Sequence, residues 1–143
     1  MMKYIGFCLL LLVGCSLQLV APYDPPTATQ INLIEKKIDY MYRKAEQLPP
    51  DKRQYQRFAK DYIEVDVEIR ALLRRQQRRP NNTETIKQVD ILSTLWEQDK
   101  MMHYKKNALS NFMINRRTVQ YQRMFTALVN GENAKKQRGS LYD

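Results

Sequence analysis

The sequence predicts an all-α protein: a compact antiparallel bundle of three or four helices behind a cleavable signal and a proline-rich tether. Three observations carry this expectation. Through the middle of the chain, apolar residues recur at alternating steps of three and four, which keeps one stripe along a helix. The prolines, at 22, 25, 26, 49, 50 and 80, fall only where that period is absent or broken. From Asn81 to Asn130 there is neither proline nor glycine.

At the N-terminus, Lys3 supplies a basic tip, Tyr4 to Val13 an apolar run, and Gly14 a small residue before Cys15. These are the parts of an export signal. An apolar run of about ten residues is short for a bilayer span, which takes about twenty. The alternative is an uncleaved anchor from Tyr4 to Ala21, interrupted only by Ser16 and Gln18 among polar types.

Leu12-Val13-Gly14-Cys15 adds a feature that a plain signal lacks, because it matches the lipobox. On those residues, the segment 1–15 resembles the bacterial lipoproteins. The resemblance implies a diacylglycerol on the Cys15 sulfur, removal of residues 1–14 and acylation of the new amino terminus. One acyl chain holds a protein to a membrane only marginally, and two or three hold it firmly. Ser16, where this family carries Asp for inner-membrane retention, implies the periplasmic face of the outer membrane in a host with two membranes. Cys8 would leave with the signal and Cys15 would become a thioether, so no disulfide is expected despite an oxidising compartment.

Residues 16–29 carry three of the prolines and no helical period, which predicts an extended tether reaching at most about 45 Å. The alternative is that Leu17 to Ala21 lies against the domain. The bundle is expected over residues 30–135. Ile31, Ile34, Ile38, Met41, Ala45 and Leu48 form the first stripe, with Thr27 or Thr29 as cap and Pro49-Pro50 as the stop. Asp51 caps a second helix carrying Tyr55, Phe58, Tyr62, Val65, Ile69 and Leu72, ending near Arg79 before Pro80-Asn81-Asn82. Ile63, Val65, Val67 and Ile69 also alternate as a strand would, but the heptad spacing on both sides outweighs that.

A third helix, capped by Asn82 or Thr83, carries Ile86, Val89, Leu92, Leu95, Trp96 and Met102 or His103. The turn after it is expected within residues 104–110. Leu109, Phe112, Met113, Val119, Met124, Phe125 and Leu128 then mark a fourth helix, fraying beyond Gly131 into a tail at 136–143. Short loops favour antiparallel hairpins packed into a bundle. A coiled-coil dimer is the competing outcome, since the same spacing makes a seam.

The chain is basic, with 24 Lys and Arg against 15 Asp and Glu. The densest stretch is RALLRRQQRR, in which Arg70, Arg74 and Arg78 share one helix face and Arg75 and Arg79 form a neighbouring column. Such guanidinium groups suit phosphate or carboxylate recognition. Export argues against nucleic acid and for anionic lipid headgroups or an acidic envelope protein. The plainer reading is a solvated helix end whose cations complement the dipole.

Tyr40 and Tyr42 flank Met41 as a candidate exposed interface pair, or else as the rim of a core. His103 follows Asp99 by four residues, without a second ligand pair, and reads as a structural histidine hydrogen-bonded to that aspartate. Glu64, Asp66 and Glu68 are expected to offset arginines, Asp66 with Arg70. No catalytic residue, metal site or cofactor motif is recognised. The body loosely resembles small helical envelope lipoproteins. Three functions follow as expectations: an anchored interaction or scaffolding protein binding another envelope protein, a mobile-element lipoprotein excluding incoming phage or plasmid DNA, or a soluble or signal-anchored basic protein binding polyanions.

Overall fold

The stripe of the first helix is buried along its length, with Ile31, Ile34, Ile38, Met41 and Ala45 all at most 1% exposed. The structure, a computed structural model, describes residues 19–139. Cys15, the signal, the start of the tether and the last residues from Ser140 lie outside the described residues. The fold is all-α, with four long helices: α1 (Pro25–Glu46), α2 (Ala59–Gln77), α3 (Thr83–Lys106) and α4 (Asn111–Gly139). There is no strand among the described residues, and no described helix is long and apolar enough to cross a membrane.

Successive helices run antiparallel. The start of α1 therefore meets the end of α2 and the end of α4, through Asp24 with Arg75 and Glu132. At the opposite end, Arg53 reaches Leu109. α1 packs on α2 and α4, α2 also packs on α3, and of these neighbouring pairs α3 and α4 are packed least closely. Trp96, Tyr62, Phe58 and Phe125 are the largest buried side chains. The Tyr62 ring lies between two of its neighbours, its centroid 5.0 Å from Trp96 and 5.5 Å from a stacked Tyr55. Each such burial contributes about 1.5–3 kcal/mol.

Several boundaries differ from the sequence expectation, each for an identifiable reason. Residues 16–29 were expected to be extended, yet α1 starts at Pro25. Pro25 and Pro26 occupy the first helical turn, where an N–H has no intrahelical partner and the fixed φ of proline is already helical. Ala21 is also buried, with its N–H donating to the Asn81 carbonyl at 2.9 Å, so the end of the tether lies on the body.

Asp51 caps no α-helix. Residues 50–57 form two 3-10 turns (Pro50–Lys52 and Tyr55–Arg57) pinned by Arg53, which is only 3% exposed and donates to the carbonyls of Leu48 and Leu109 and to Asn111 Oδ1. α3 ends inside the expected turn region at Asn107, whose φ of 49° is the left-handed conformation asparagine tolerates at a helix end. α4 does not fray at Gly131 but continues to Gly139, because Glu132 and Lys135 are buried and bonded beyond it.

Candidate functional site

The basic stretch of α2 ends where the chain enters the bundle, and its arginines divide there into two sets. Arg75 Nε donates to Asp24 Oδ2 at 2.7 Å and its terminal nitrogen to Oδ1 at 3.3 Å. That pairing, with Thr27 Oγ1 donating at 2.5 Å, holds the Asp24 carboxyl at a pKa of about 2. Arg79 lies 3.4 Å from Glu132 Oε1 and also donates to the Pro22 carbonyl. These two arginines are structural: they fasten the entering chain to the bundle. Arg74 and Arg78 are exposed and have no partner among the described residues. Arg70 is exposed too, its Nε turned to the Asp66 carbonyl.

The expected pairing of the Asp66 carboxylate with Arg70 is replaced by one with Lys100, at 2.7 Å. Lys100 comes from α3, so this pair joins two helices rather than two turns of one.

Beneath the entering chain lies a buried polar network. Lys135 Nζ donates to Asn82 Oδ1, Thr85 Oγ1 and Glu132 Oε2 at 2.8–2.9 Å, which uses all three ammonium protons. Asn82 Nδ2 donates to the backbone and side-chain oxygens of Gln76, and Gln76 donates to Thr27. Glu132 Oε1 accepts the N–H of Asp24 at 2.8 Å. All four helices thus share one hydrogen-bonded cap at this end.

A second buried cluster sits in mid-bundle. Asp99, 4% exposed, accepts the hydroxyls of Tyr42 at 3.0 Å and Tyr121 at 2.8 Å on Oδ2, and its Oδ1 lies 2.6 Å from Arg117 Nε. Burial raises the pKa of Asp99, while the tyrosines and Arg117 pull against it. Burial also raises both tyrosines well above the usual phenol value. A cleft of about 270 Å³ between α1 and α4 reaches Tyr42 and Tyr121 from one side, and one of about 170 Å³ reaches Asp99 and Arg117 from the other.

Tyr42 therefore does not form an exposed pair with Tyr40. Residues two apart lie about 200° around a helix, so Tyr40 is 64% exposed and Tyr42 is 2% exposed. His103 is buried but is not bonded to Asp99. Its Nε2 lies 2.9 Å from the Arg53 carbonyl, which can only accept, so Nε2 carries the proton and Nδ1 accepts the Tyr62 hydroxyl at 3.0 Å. Burial lowers its pKa, keeping the ring neutral. Among the described residues, no group of His, Cys, Asp or Glu is arranged to hold a metal ion.

Sequence reasoning missed Asp24, Arg53, Arg117, Glu132 and Lys135. A partial signal existed: Glu132 and Lys135 continue the three-and-four spacing of Tyr121, Phe125 and Leu128, and Asp99 and His103 continue that of Val89, Leu92 and Trp96. A purely hydrophobic reading passes over such polar members of a buried stripe. Compared with known families, curated proteins and solved structures, the chain matches none.

Proposed function

We propose that this protein is a lipid-anchored bacterial envelope protein whose helical bundle is a non-catalytic interaction domain, held at the periplasmic face of the outer membrane. The observation that carries the reading is Leu12-Val13-Gly14-Cys15 at the end of a basic and apolar leader. What supports a binding role over chemistry is the state of the buried polar groups. Asp99, His103, Glu132 and Lys135 are held in contacts with neighbouring protein groups, whereas Arg74, Arg78 and Tyr40 are displayed outward. An exposed phenol suits the surface of a neighbouring envelope protein, and exposed guanidinium groups suit an anionic partner, carboxylate or phosphate.

Metabolic labelling with a palmitate analogue, followed by membrane fractionation, tests the anchor. Wild type takes up label and sediments with membranes, and Cys15→Ala loses both. Label persisting in Cys15→Ala, or a wild-type mass that includes residues 1–14, overturns the proposal.

A further inference from the structure

We infer that the bundle seats on anionic phospholipid headgroups by one particular end, the one formed by the start of α1 and the ends of α2 and α4. The inference rests on acylation of Cys15 and goes beyond it by fixing which surface faces the bilayer. Three observations converge on that end.

The first is the length of the leash. Ala21 is hydrogen-bonded to Asn81, and Asp24 is held by Arg75 and Glu132, so only residues 16–20 separate Cys15 from the first fastened residue. Fully extended, that stretch reaches at most about 20 Å. α1, with 22 residues, is about 33 Å long, so the opposite end of the bundle stands much farther from the anchor.

The second is charge left uncompensated. At this end Asp24 is taken by Arg75, Glu132 by Arg79 and Lys135, and Glu84 by Lys87. Arg74, Arg78, Lys136 and Arg138 remain exposed with no carboxylate partner among the described residues, Lys136 resting over the Tyr23 ring.

The third is the contrast with the flank. Much of the lysine charge along α1, α2 and α3 is paired, Lys37 with Glu64 and Glu68, Lys44 with Asp61 and Lys100 with Asp66, while Lys36 and, on the outer face of α4, Arg116 and Arg123 are exposed without a carboxylate partner among the described residues. The far end also carries exposed cations, Arg57, Lys105 and Lys106. A cation attracts headgroups only within a screening length of about 8 Å, and a leash this short keeps the near end close enough to enter that range.

An anionic bilayer favours each arginine close to its surface by about fivefold. Reversing Arg74 and Arg78 should therefore lower the ratio of seated to unseated molecules by about 25-fold or more.

The test uses the full acylated chain reconstituted in vesicles of phosphatidylcholine with or without phosphatidylglycerol. Single thiols are introduced for a fluorophore at the near end (Gln77→Cys), at the far end (Gln56→Cys) and on the outer face of α4 (Asn115→Cys), and a headgroup quencher reports proximity. Quenching is expected at the Gln77 position alone, only with phosphatidylglycerol, and lost with Arg74→Glu/Arg78→Glu or in 1 M salt, where screening shortens to about 3 Å. All of these variants should still float with the vesicles.

Equal quenching at the three positions, strongest quenching on the α4 face, or quenching indifferent to charge reversal overturns the seating and leaves the anchor standing. The same follows if seating appears only when an acidic envelope protein is added. A wild-type chain that fails to float overturns the anchor, and the seating with it.

Discussion

Arg117 of α4 closes on Asp99 of α3 with Nε 2.6 Å from Oδ1, joining the least closely packed of the neighbouring helix pairs. The carboxylate is 4% exposed and the arginine side chain 12%. Removing one partner from such a pair leaves a buried charge without its counterion, at a cost of about 3–5 kcal/mol, whereas neutralising both costs far less. Arg117→Met is therefore expected to lower unfolding free energy by about that amount in urea titrations, and Asp99→Asn/Arg117→Met to regain much of it. Losses that simply add in the double variant would show that the contact carries no coupling.

His103 makes stability depend on pH near neutrality, and it is the only histidine in the chain. Its folded pKa lies below the ordinary 6.5 because burial penalises the imidazolium. The unfolded chain therefore binds more protons below that value, and stability falls with pH. The contribution of neutral His103 is complete above about pH 6.5 and is lost as pH drops through the depressed folded value. Thermal unfolding between pH 7.5 and 5 should show this decline, and His103→Gln should flatten it. An unchanged slope in the variant would place the titrating group elsewhere.

A separate acid transition belongs to Asp24. Its pKa is held at about 2, first by its hydrogen bond to Arg75, against 3.8 ordinarily. The depressed value means that its stabilisation is present above about pH 4 and is lost as pH falls toward 2. Because the Arg75 side chain is 40% exposed, solvent screening limits the pair to about 1 kcal/mol. Arg75→Gln should loosen the entering chain, so amide hydrogen exchange at Ala21 and Asp24 should accelerate while that of mid-α1 residues such as Ile38 is unchanged. Uniform acceleration along α1 would mean that the pair supports the whole bundle and not the local strap.

What was legible in the sequence follows from which interactions are periodic. The stripes of α1 and α2 consist of apolar residues at helical spacing, and Ile31, Ile34, Ile38, Val65, Ile69 and Leu72 are buried as their spacing predicts. The stripes of α3 and α4 were only half visible. Thr85, Asp99, His103, Glu132 and Lys135 occupy core positions and are tolerated there through hydrogen bonds whose partners lie far along the chain.

The same cause misled the reading of exposed groups. Phe112 and Val119, read among the apolar residues that mark the fourth helix, face outward at 69% and 46% exposure, while Ile114 and Tyr121 turn inward. Of the five arginines in the basic stretch, spacing found the cluster. It could not separate Arg75 and Arg79, which are held by Asp24 and Glu132, from Arg74 and Arg78, because those carboxylates come from distant elements.

Gly131 offers a direct test of how firmly the last part of α4 is held. It lies inside a continuous helix without positive φ, and a Cβ built there meets only Gln88 Oε1 at 3.5 Å and Nε2 at 4.0 Å, which is ordinary contact. Glycine in a helix interior costs roughly 0.5–1 kcal/mol relative to alanine, chiefly through the freedom it has when unfolded. Gly131→Ala should raise the melting temperature by about 2–5 °C. It should also slow hydrogen exchange from residue 132 onward, where Glu132 and Lys135 bind the entering chain and the α3 N-terminus. If α4 instead frayed at this glycine in solution, alanine would extend the helix without raising the global melting temperature, and the buried network around Lys135 would exchange as fast as the exposed end.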